Sequence, residues 1–141
     1  MDDQTLDKID QLSEEGNAYC DEENFPEAIR VWTEALNLVP APQNVHSESL
    51  WLEASIGDAY FLQDDFENAL LHFENAKGNI IENAYENPFI MLRLGQCYLE
   101  TANTESAQEY LLRAYMMEGK EIFEEESPNY FNFLADNVEL D

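Results

Sequence analysis

Basic residues are scarce in this chain. Its 141 residues contain six Lys and Arg against 31 Asp and Glu, which gives a formal net charge of -25. A field of that sign repels nucleic-acid phosphates and anionic lipid head groups, and it speeds association with basic partners. We therefore expect neither a nucleic acid nor a membrane as partner. Solubility alone needs a net charge of only about 2–8 in a small domain, so we interpret the acidity as a means of partner binding; a purely solubilising role is the alternative.

Cysteine and long apolar runs are scarce too. Cys20 and Cys97 lie far apart without a CxxC pair, and we interpret them as small buried apolar residues. No stretch approaches the roughly 20 apolar residues of a membrane span. The N-terminus is acidic and lacks the apolar run of a signal peptide. We expect a cytoplasmic protein.

Sets of residues with catalytic or metal-binding spacing are absent as well. His46 and His72 fall in different predicted elements, with no Cys or His at ligand spacing. Asp64-Asp65 lacks the alternating oxygen ligands and the Gly of a calcium loop. The five glycines are isolated, so no phosphate-binding loop is present. We predict no enzyme activity, no catalytic residue, no metal, no cofactor and no small-molecule substrate.

What the chain does contain is one five-residue pattern written three times. A Gly is followed by a Tyr at three, an Ala at twelve, a bulky apolar residue at sixteen and an Ala at nineteen positions. The copies are Gly16, Tyr19, Ala28, Trp32 and Ala35; Gly57, Tyr60, Ala69, Phe73 and Ala76; and Gly95, Tyr98, Ala107, Leu111 and Ala114. A fixed internal spacing indicates a repeat architecture. Because Gly and Ala let two antiparallel helices approach closely, each copy predicts a helical hairpin.

The apolar period of 3.6 on both sides of each turn supports two amphipathic helices per copy. Beyond the third copy the pattern changes, and a short helix is predicted to cover the last apolar face. We predict an all-α fold in which three helical hairpins stack as a short solenoid with a C-terminal capping helix. A single domain spans residues 1–141, with repeats at about 9–40, 49–81 and 88–119 and a cap at about 120–138.

The register of Gly, Tyr, Ala, aromatic and Ala, with Pro40 closing the first copy, resembles the tetratricopeptide repeat (TPR). The glycines at 16, 57 and 95 are 41 and 38 residues apart, whereas the family's period is 34. The additional residues fall at Ala41–Ser47 and around Asn79–Asn87. Longer connections or lengthened helices are therefore implied between the repeats.

The tail carries a second resemblance. It consists of Gly119-Lys120-Glu121-Ile122-Phe123, followed by Tyr130, Phe131, Phe133 and Leu134. This string is similar to the end of short bacterial TPR proteins, several of which look like immunity proteins of polymorphic or contact-dependent toxins. This resemblance implies a cognate toxin domain as partner.

The TPR resemblance also implies a concave groove along the first helix of each repeat. By that analogy the groove residues are Asp10, Ser13, Asn17, Asp21, Trp51, Asp58, Phe61, Phe89, Leu92, Gln96 and Glu100. TPR co-chaperones that grip the acidic C-terminus of a chaperone use Lys and Arg in this groove. Here acids, amides and apolar residues stand there, so we expect no carboxylate gripping.

Within this groove Trp51 and Phe89 are the expected anchors, because aromatic residues dominate interface hot spots. Burial between neighbouring repeats is the alternative for both. The acidic residues would steer the partner and rim the contact, or they would form a solvated face.

We therefore predict a non-enzymatic protein-binding module. The favoured function is that of an acidic bacterial immunity protein that binds and neutralises a cognate basic toxin domain, for which a nuclease is one candidate. The alternatives are a TPR scaffold or chaperone adaptor that binds a basic peptide or protein, and a regulator that mimics nucleic acid.

Overall fold

The computed structural model describes residues 1–140, in which all regular secondary structure is helical. The α-helices are α1 (Asp3–Asp21), α2 (Phe25–Leu38), α3 (Ser47–Leu62), α4 (Phe66–Lys77), α5 (Pro88–Glu100), α6 (Thr104–Glu118) and α7 (Pro128–Asn137). Short 3-10 helices cover Gln43–Val45, Ala84–Glu86 and Gly119–Phe123. The hairpins α1/α2, α3/α4 and α5/α6 coincide with the three copies of the pattern, which confirms the predicted all-α fold.

The chain divides into two compact units, and the first one spans Met1–Ala84. It contains the first two hairpins, and α2 packs against α3 within it. The second unit begins at Tyr85 and contains the third hairpin, the 3-10 helix Gly119–Phe123 and α7. Helix α7 packs on α6, as a capping helix does. The organisation of 1–141 as a single domain stays a prediction.

The bulky residue of each copy packs directly on the Gly sixteen positions before it, which explains the spacing. A Cβ placed on Gly57 would lie 3.0 Å from the ring of Phe73, and one on Gly95 would lie 2.6 Å from the side chain of Leu111. On Gly16 it would overlap the indole of Trp32. Gly in mid-helix costs about 1 kcal/mol relative to Ala, and here it makes room for a large buried side chain.

Each hairpin turn holds one residue in the left-handed conformation, at the same place in its copy. These residues are Glu23, Asp64 and Ala102, with φ between 60° and 67°. The next helix then begins at a polar cap: Asp65 accepts from the backbone N–H of Asn68, and Asn103 accepts from that of Ser106. Asn24 lies at the same place before α2, but its side chain makes no capping hydrogen bond.

The segments that exceed the family's period are partly helical. Asn79 ties one of them to the start of α3, because its side-chain amide donates to the carbonyl of His46 at 2.7 Å and to the Ser49 hydroxyl at 3.1 Å. Its side-chain oxygen accepts from the backbone N–H groups of Ile81 and Glu82. Asn79 is buried, and this network fixes the end of the second hairpin within the first unit.

Candidate protein-binding groove

The first unit carries a groove of about 340 Å³ that is bordered by α1 and α3. We call it the Trp51 groove. Its lining residues are Ile9, Asp10, Ser13, Asn17, Trp32, Ser47, Glu48, Trp51, Leu52 and Ser55.

Helical periodicity sorts the residues of α1 between this groove and the core. Asp10, Ser13 and Asn17 follow one another at steps of three and four and share one face of the helix. Ile9 and Leu12 are buried in the core of the same unit. On α3, Glu48, Trp51 and Ser55 again follow at steps of three and four, so the second wall is built in the same way.

The floor of the groove is fixed by Trp32 of α2. Its indole N–H donates to the backbone carbonyl of Ser13 at 3.2 Å, and its ring lies on Gly16. Trp32 is therefore a structural residue, although it borders the groove. Trp51, in contrast, leaves 57% of its surface exposed. Burial between repeats, the alternative considered for Trp51, is therefore wrong.

The groove carries acceptors and negative charge. In residues 1–140 neither the Asp10 nor the Glu48 carboxylate forms a hydrogen bond or an ion pair, and no Lys or Arg lines the groove. Hydroxyl groups of Ser13 and Ser55 lie among the lining side chains. The arrangement offers an apolar ring face together with carboxylates, which suits a ligand that has both an apolar stem and hydrogen-bond donors.

Asp21, Asp58 and Phe61, which the sequence also assigns to a groove, are not part of its lining. Phe61 packs edge-to-face on Phe66, with 5.5 Å between the ring centroids. Burial raises the pKa of the Cys20 thiol, and the carboxylates of Asp58 and Asp21 raise it further. This thiol therefore stays protonated at neutral pH and is a weak nucleophile.

In the second unit, the predicted residues of α5 behave differently. Leu92 and Gln96 are enclosed, with 3% and 0% of their surface exposed. Phe89 is 38% exposed, and the guanidinium carbon of Arg93 lies 4.9 Å from the centre of its ring. Glu100 is exposed and accepts a hydrogen bond from the hydroxyl of Tyr130 at 3.2 Å.

A carboxylate from the C-terminal segment engages the polar side chains on this face of α5, beside a groove of about 430 Å³ that Phe89, Leu92 and Arg93 line together with that segment. Glu126 accepts from the guanidinium of Arg93 at 2.6 Å and from the side-chain amide of Gln96 at 2.7 Å. Arg93 also donates to the side-chain oxygen of Gln96 at 2.8 Å. Each of these three side chains is thereby hydrogen-bonded to the other two, and we call the set the Arg93 network.

A further contact between α5 and the C-terminal part of the chain is made by Tyr130 on α7. Burial raises the pKa of the Tyr130 hydroxyl, and the neighbouring carboxylate of Glu100 raises it further. The hydroxyl therefore remains a hydrogen-bond donor to Glu100 well into the alkaline range. Together with the Arg93 network, this contact leaves Gln96 without access to a partner while the C-terminal segment is in place.

Four residues important to these two sites are not among those predicted from the sequence. They are Glu48, Ser55, Arg93 and Glu126. Arg93 carries a recognisable signal, since it stands alone in the apolar run Pro88–Leu99 and a buried cation needs a partner. Glu126 carries none, because one carboxylate among 31 acids is not distinguished by its sequence neighbourhood.

Residues 1–140 contain neither a metal-binding cluster nor a membrane-spanning helix. His, Cys, Asp and Glu side chains do not come together there in a group of three or more that could hold a metal ion. None of the described helices is both long and apolar enough to cross a membrane.

Comparison with known proteins gives similarity in structure only. No protein-family model and no curated protein sequence matches the chain. The chain is similar to the C-terminal TPR-containing domain of a putative FK506-binding protein of Plasmodium falciparum, with a TM-score of 0.76 and 17% identity over 96% of this chain and 89% of that one.

Two other similar structures contain bound peptides. The first TPR of Spaghetti (RPAP3), bound to an HSP90 peptide, has a TM-score of 0.66 and 21% identity over 92% of both chains. The Yersinia enterocolitica type III secretion chaperone SycD, in complex with a peptide of the translocator YopD, has a TM-score of 0.69 and 15% identity over 92% of both chains. None of these three proteins is an immunity protein, so the resemblance to immunity proteins gains no support.

These similarities cover nearly the whole chain, and the three hairpins repeat the register of Gly, Tyr and Ala that resembles the family. The chain adopts the tetratricopeptide-repeat fold.

Proposed function

We propose that the chain is a non-enzymatic scaffold or adaptor whose Trp51 groove binds a basic segment of a protein partner. The observation that carries this proposal is a pair of carboxylates next to the exposed ring of Trp51: within residues 1–140, neither Asp10 nor Glu48 forms a hydrogen bond or an ion pair. Carboxylates of this kind gain most from a cationic ligand, and the aromatic ring supplies apolar contact area.

The rest of the molecule favours the same class of partner. A net charge of -25 attracts a basic protein from a distance and raises the association rate. The RPAP3 and SycD domains are each described with a bound peptide, which supports peptide binding as the use of this fold here. We include a cytoplasmic location in the proposal.

The narrower predictions stay predictions. An immunity protein directed against a basic toxin domain would use the same charge and the same groove, as would a regulator that mimics nucleic acid. The comparisons support the scaffold or adaptor better than either of them. Asp21, Asp58, Phe61 and Glu100 are proposed as secondary contacts that steer the partner.

Binding of a defined basic peptide tests the proposal. The probe is a 12-residue peptide of alternating Arg, Leu and Ser, and its affinity is measured by calorimetry at low and at high salt. We expect the affinity to fall steeply as salt rises, since exposed charges are screened over about 10 Å at 0.1 M. The Asp10→Asn, Glu48→Gln variant should lose most of this binding.

The matched control changes the same number of charges outside the groove. Glu14→Gln with Glu34→Gln removes two exposed carboxylates that do not line it. If both double variants weaken the peptide equally, the net charge binds the peptide and the groove does not, which would refute the proposal.

A further inference from the structure

We propose that the ligand of the Trp51 groove is an arginine side chain of the partner, stacked on Trp51 with its guanidinium between the carboxylates of Asp10 and Glu48. This inference rests on the proposed function and names the chemistry of the group that the groove selects. A lysine or an aromatic side chain is the competing occupant.

The repeat register provides the first step. Counted from the Gly of each copy, Trp51 and Phe89 both stand six positions before it, and Ser55 and Arg93 both stand two positions before it. The pairs Trp51/Ser55 and Phe89/Arg93 are therefore related in the same way, four residues apart on one face of their helices.

In the second unit, the ring at this position is contacted by an arginine of the chain itself. The guanidinium of Arg93 lies over the ring of Phe89 at 4.9 Å and binds the Glu126 carboxylate at 2.6 Å. The guanidinium thus contacts the aromatic ring on one side and the carboxylate on the other.

In the first unit the ring and the carboxylates are present, but the short side chain of Ser55 stands in the place of arginine. Trp51 is accordingly more exposed than Phe89, at 57% against 38%. In residues 1–140 the carboxylates of Asp10 and Glu48 form neither a hydrogen bond nor an ion pair. A guanidinium supplied by a partner would complete the set.

The lining favours arginine over lysine. Guanidinium is planar, stacks on an aromatic ring and offers five N–H donors in a fixed fork, whereas ammonium is a compact, strongly hydrated charge. Several acceptors are among the lining residues of the groove: carboxylates from both walls, hydroxyl groups and the side chain of Asn17. A flat group with several donors can satisfy more of them than a point charge can.

The test follows the indole N–H signals of the full chain by NMR during titration with N-acetyl-arginine amide. The matched probes are N-acetyl-lysine amide and N-acetyl-citrulline amide, which change the shape of the cation or remove the charge. We expect the arginine probe to shift the Trp51 signal saturably, with an affinity at least about fivefold above that of the lysine probe. Amide signals of α5 and α6 serve as the internal reference because these helices do not line the groove.

Two variants then examine the location. Ser55→Arg places a guanidinium where Arg93 has one and should abolish the shift at Trp51, while Glu34→Arg, which places a guanidinium at an exposed position outside the groove, should preserve it. An unchanged amide spectrum outside the groove verifies that each variant folds.

Equal or tighter binding of the lysine probe would overturn the inference while leaving the binding of basic segments intact. So would an arginine shift that survives in Ser55→Arg. Failure of the proposed function looks different, because the basic 12-residue peptide would then bind equally well to the charge-matched groove and control variants.

Discussion

The two units treat the same repeat position in opposite ways. In the first, Trp51 lies exposed beside carboxylates that have no intramolecular ion pair among residues 1–140. In the second, Phe89 is less exposed, and the guanidinium of Arg93 lies over its ring, held by a carboxylate of the C-terminal segment. Ser55 and Arg93 occupy equivalent positions, and this difference in side chain, together with the C-terminal segment that supplies Glu126, distinguishes the two surfaces.

The comparison shows that shared register does not imply shared exposure. Both units build their hairpins from the same Gly and Ala contacts. Whether the surface beside a hairpin is available is decided by residues outside that register. Three kinds of substitution test this view: one that breaks the Arg93 network, one that removes the ring of Trp51, and one that places a guanidinium beside Trp51.

The largest change in stability is expected when the Arg93 network is broken. Glu126→Ala leaves the guanidinium of Arg93 and the amide of Gln96 without their shared acceptor, and loss of one partner from a largely buried pair typically costs about 3–5 kcal/mol. Because Glu126 is partly exposed and water can replace some of the contact, we expect a loss of about 2–3 kcal/mol in the free energy of unfolding.

Urea unfolding followed by far-UV circular dichroism measures this change, and amide hydrogen exchange locates it. Faster exchange should be confined to the second unit. Glu125→Ala is the control, since Glu125 is exposed and surface substitutions usually change stability by no more than about 0.5 kcal/mol. Equal losses of unfolding free energy in the two variants would show that the Arg93 network does not stabilise the second unit.

The second effect separates binding from stability. Trp51→Ala should weaken the basic peptide by about tenfold or more, as expected for an aromatic anchor, and should change the unfolding free energy by less than about 1 kcal/mol because the ring is mostly exposed. Phe89→Ala should leave the affinity for the peptide almost unchanged and should lower the unfolding free energy by more than about 1 kcal/mol. Calorimetry measures the peptide affinity of each variant, and urea unfolding measures its stability. If both variants change affinity and stability in the same way, the two units do not differ as described.

The hairpins could be predicted from the sequence, because contacts inside a hairpin are local and repeat three times. The register also assigns Trp51 to the groove side of α3, but its exposure could not be predicted, since burial between repeats was equally compatible with the sequence. The Arg93 network could not be predicted, since Glu126 lies 33 residues from Arg93 in a segment that repeats nothing. The burial of Leu92 and Gln96 depends on that segment too, so the analogy that assigned them to a groove had no means of detecting it.

A third and smaller effect concerns alkaline pH. The folded chain raises the pKa of Tyr130 through burial and the Glu100 carboxylate, whereas an unfolded Tyr has a pKa near 10. Below about pH 10 both states keep the proton, and the contact contributes fully, by about 1 kcal/mol. Above it the unfolded chain ionises first, so this contribution is lost as the pH rises.

Tyr130→Phe should therefore be less stable at pH 8 and should lose less stability than the parent chain between about pH 10 and 12. Urea unfolding at several pH values measures both. Tyr85→Phe is the matched control, because it removes one hydroxyl from an exposed ring in the same unit. A pH profile of Tyr130→Phe parallel to that of the parent chain would contradict the assignment.

The smallest effect is expected when the open groove is closed from within. Ser55→Arg should raise the unfolding free energy of the first unit by about 0.5–1 kcal/mol, the usual range for an exposed cation over an aromatic ring. Both tryptophans of the chain lie in this unit, so tryptophan fluorescence during urea unfolding follows it alone. Ser55→Ala is the control, and a variant no more stable than this control would argue against a site for a guanidinium at Trp51.

The contact between each Gly and the bulky residue sixteen positions later also determines where the chain tolerates a change in length. One residue inserted between Phe25 and Trp32 would turn the indole by about 100° around α2 and away from Gly16. The same insertion within residues 41–47 would leave every such contact intact. The sequence is consistent with this difference. The glycines are 41 and 38 residues apart, whereas the spacing of sixteen is the same inside each hairpin, so length varies between hairpins and not within them.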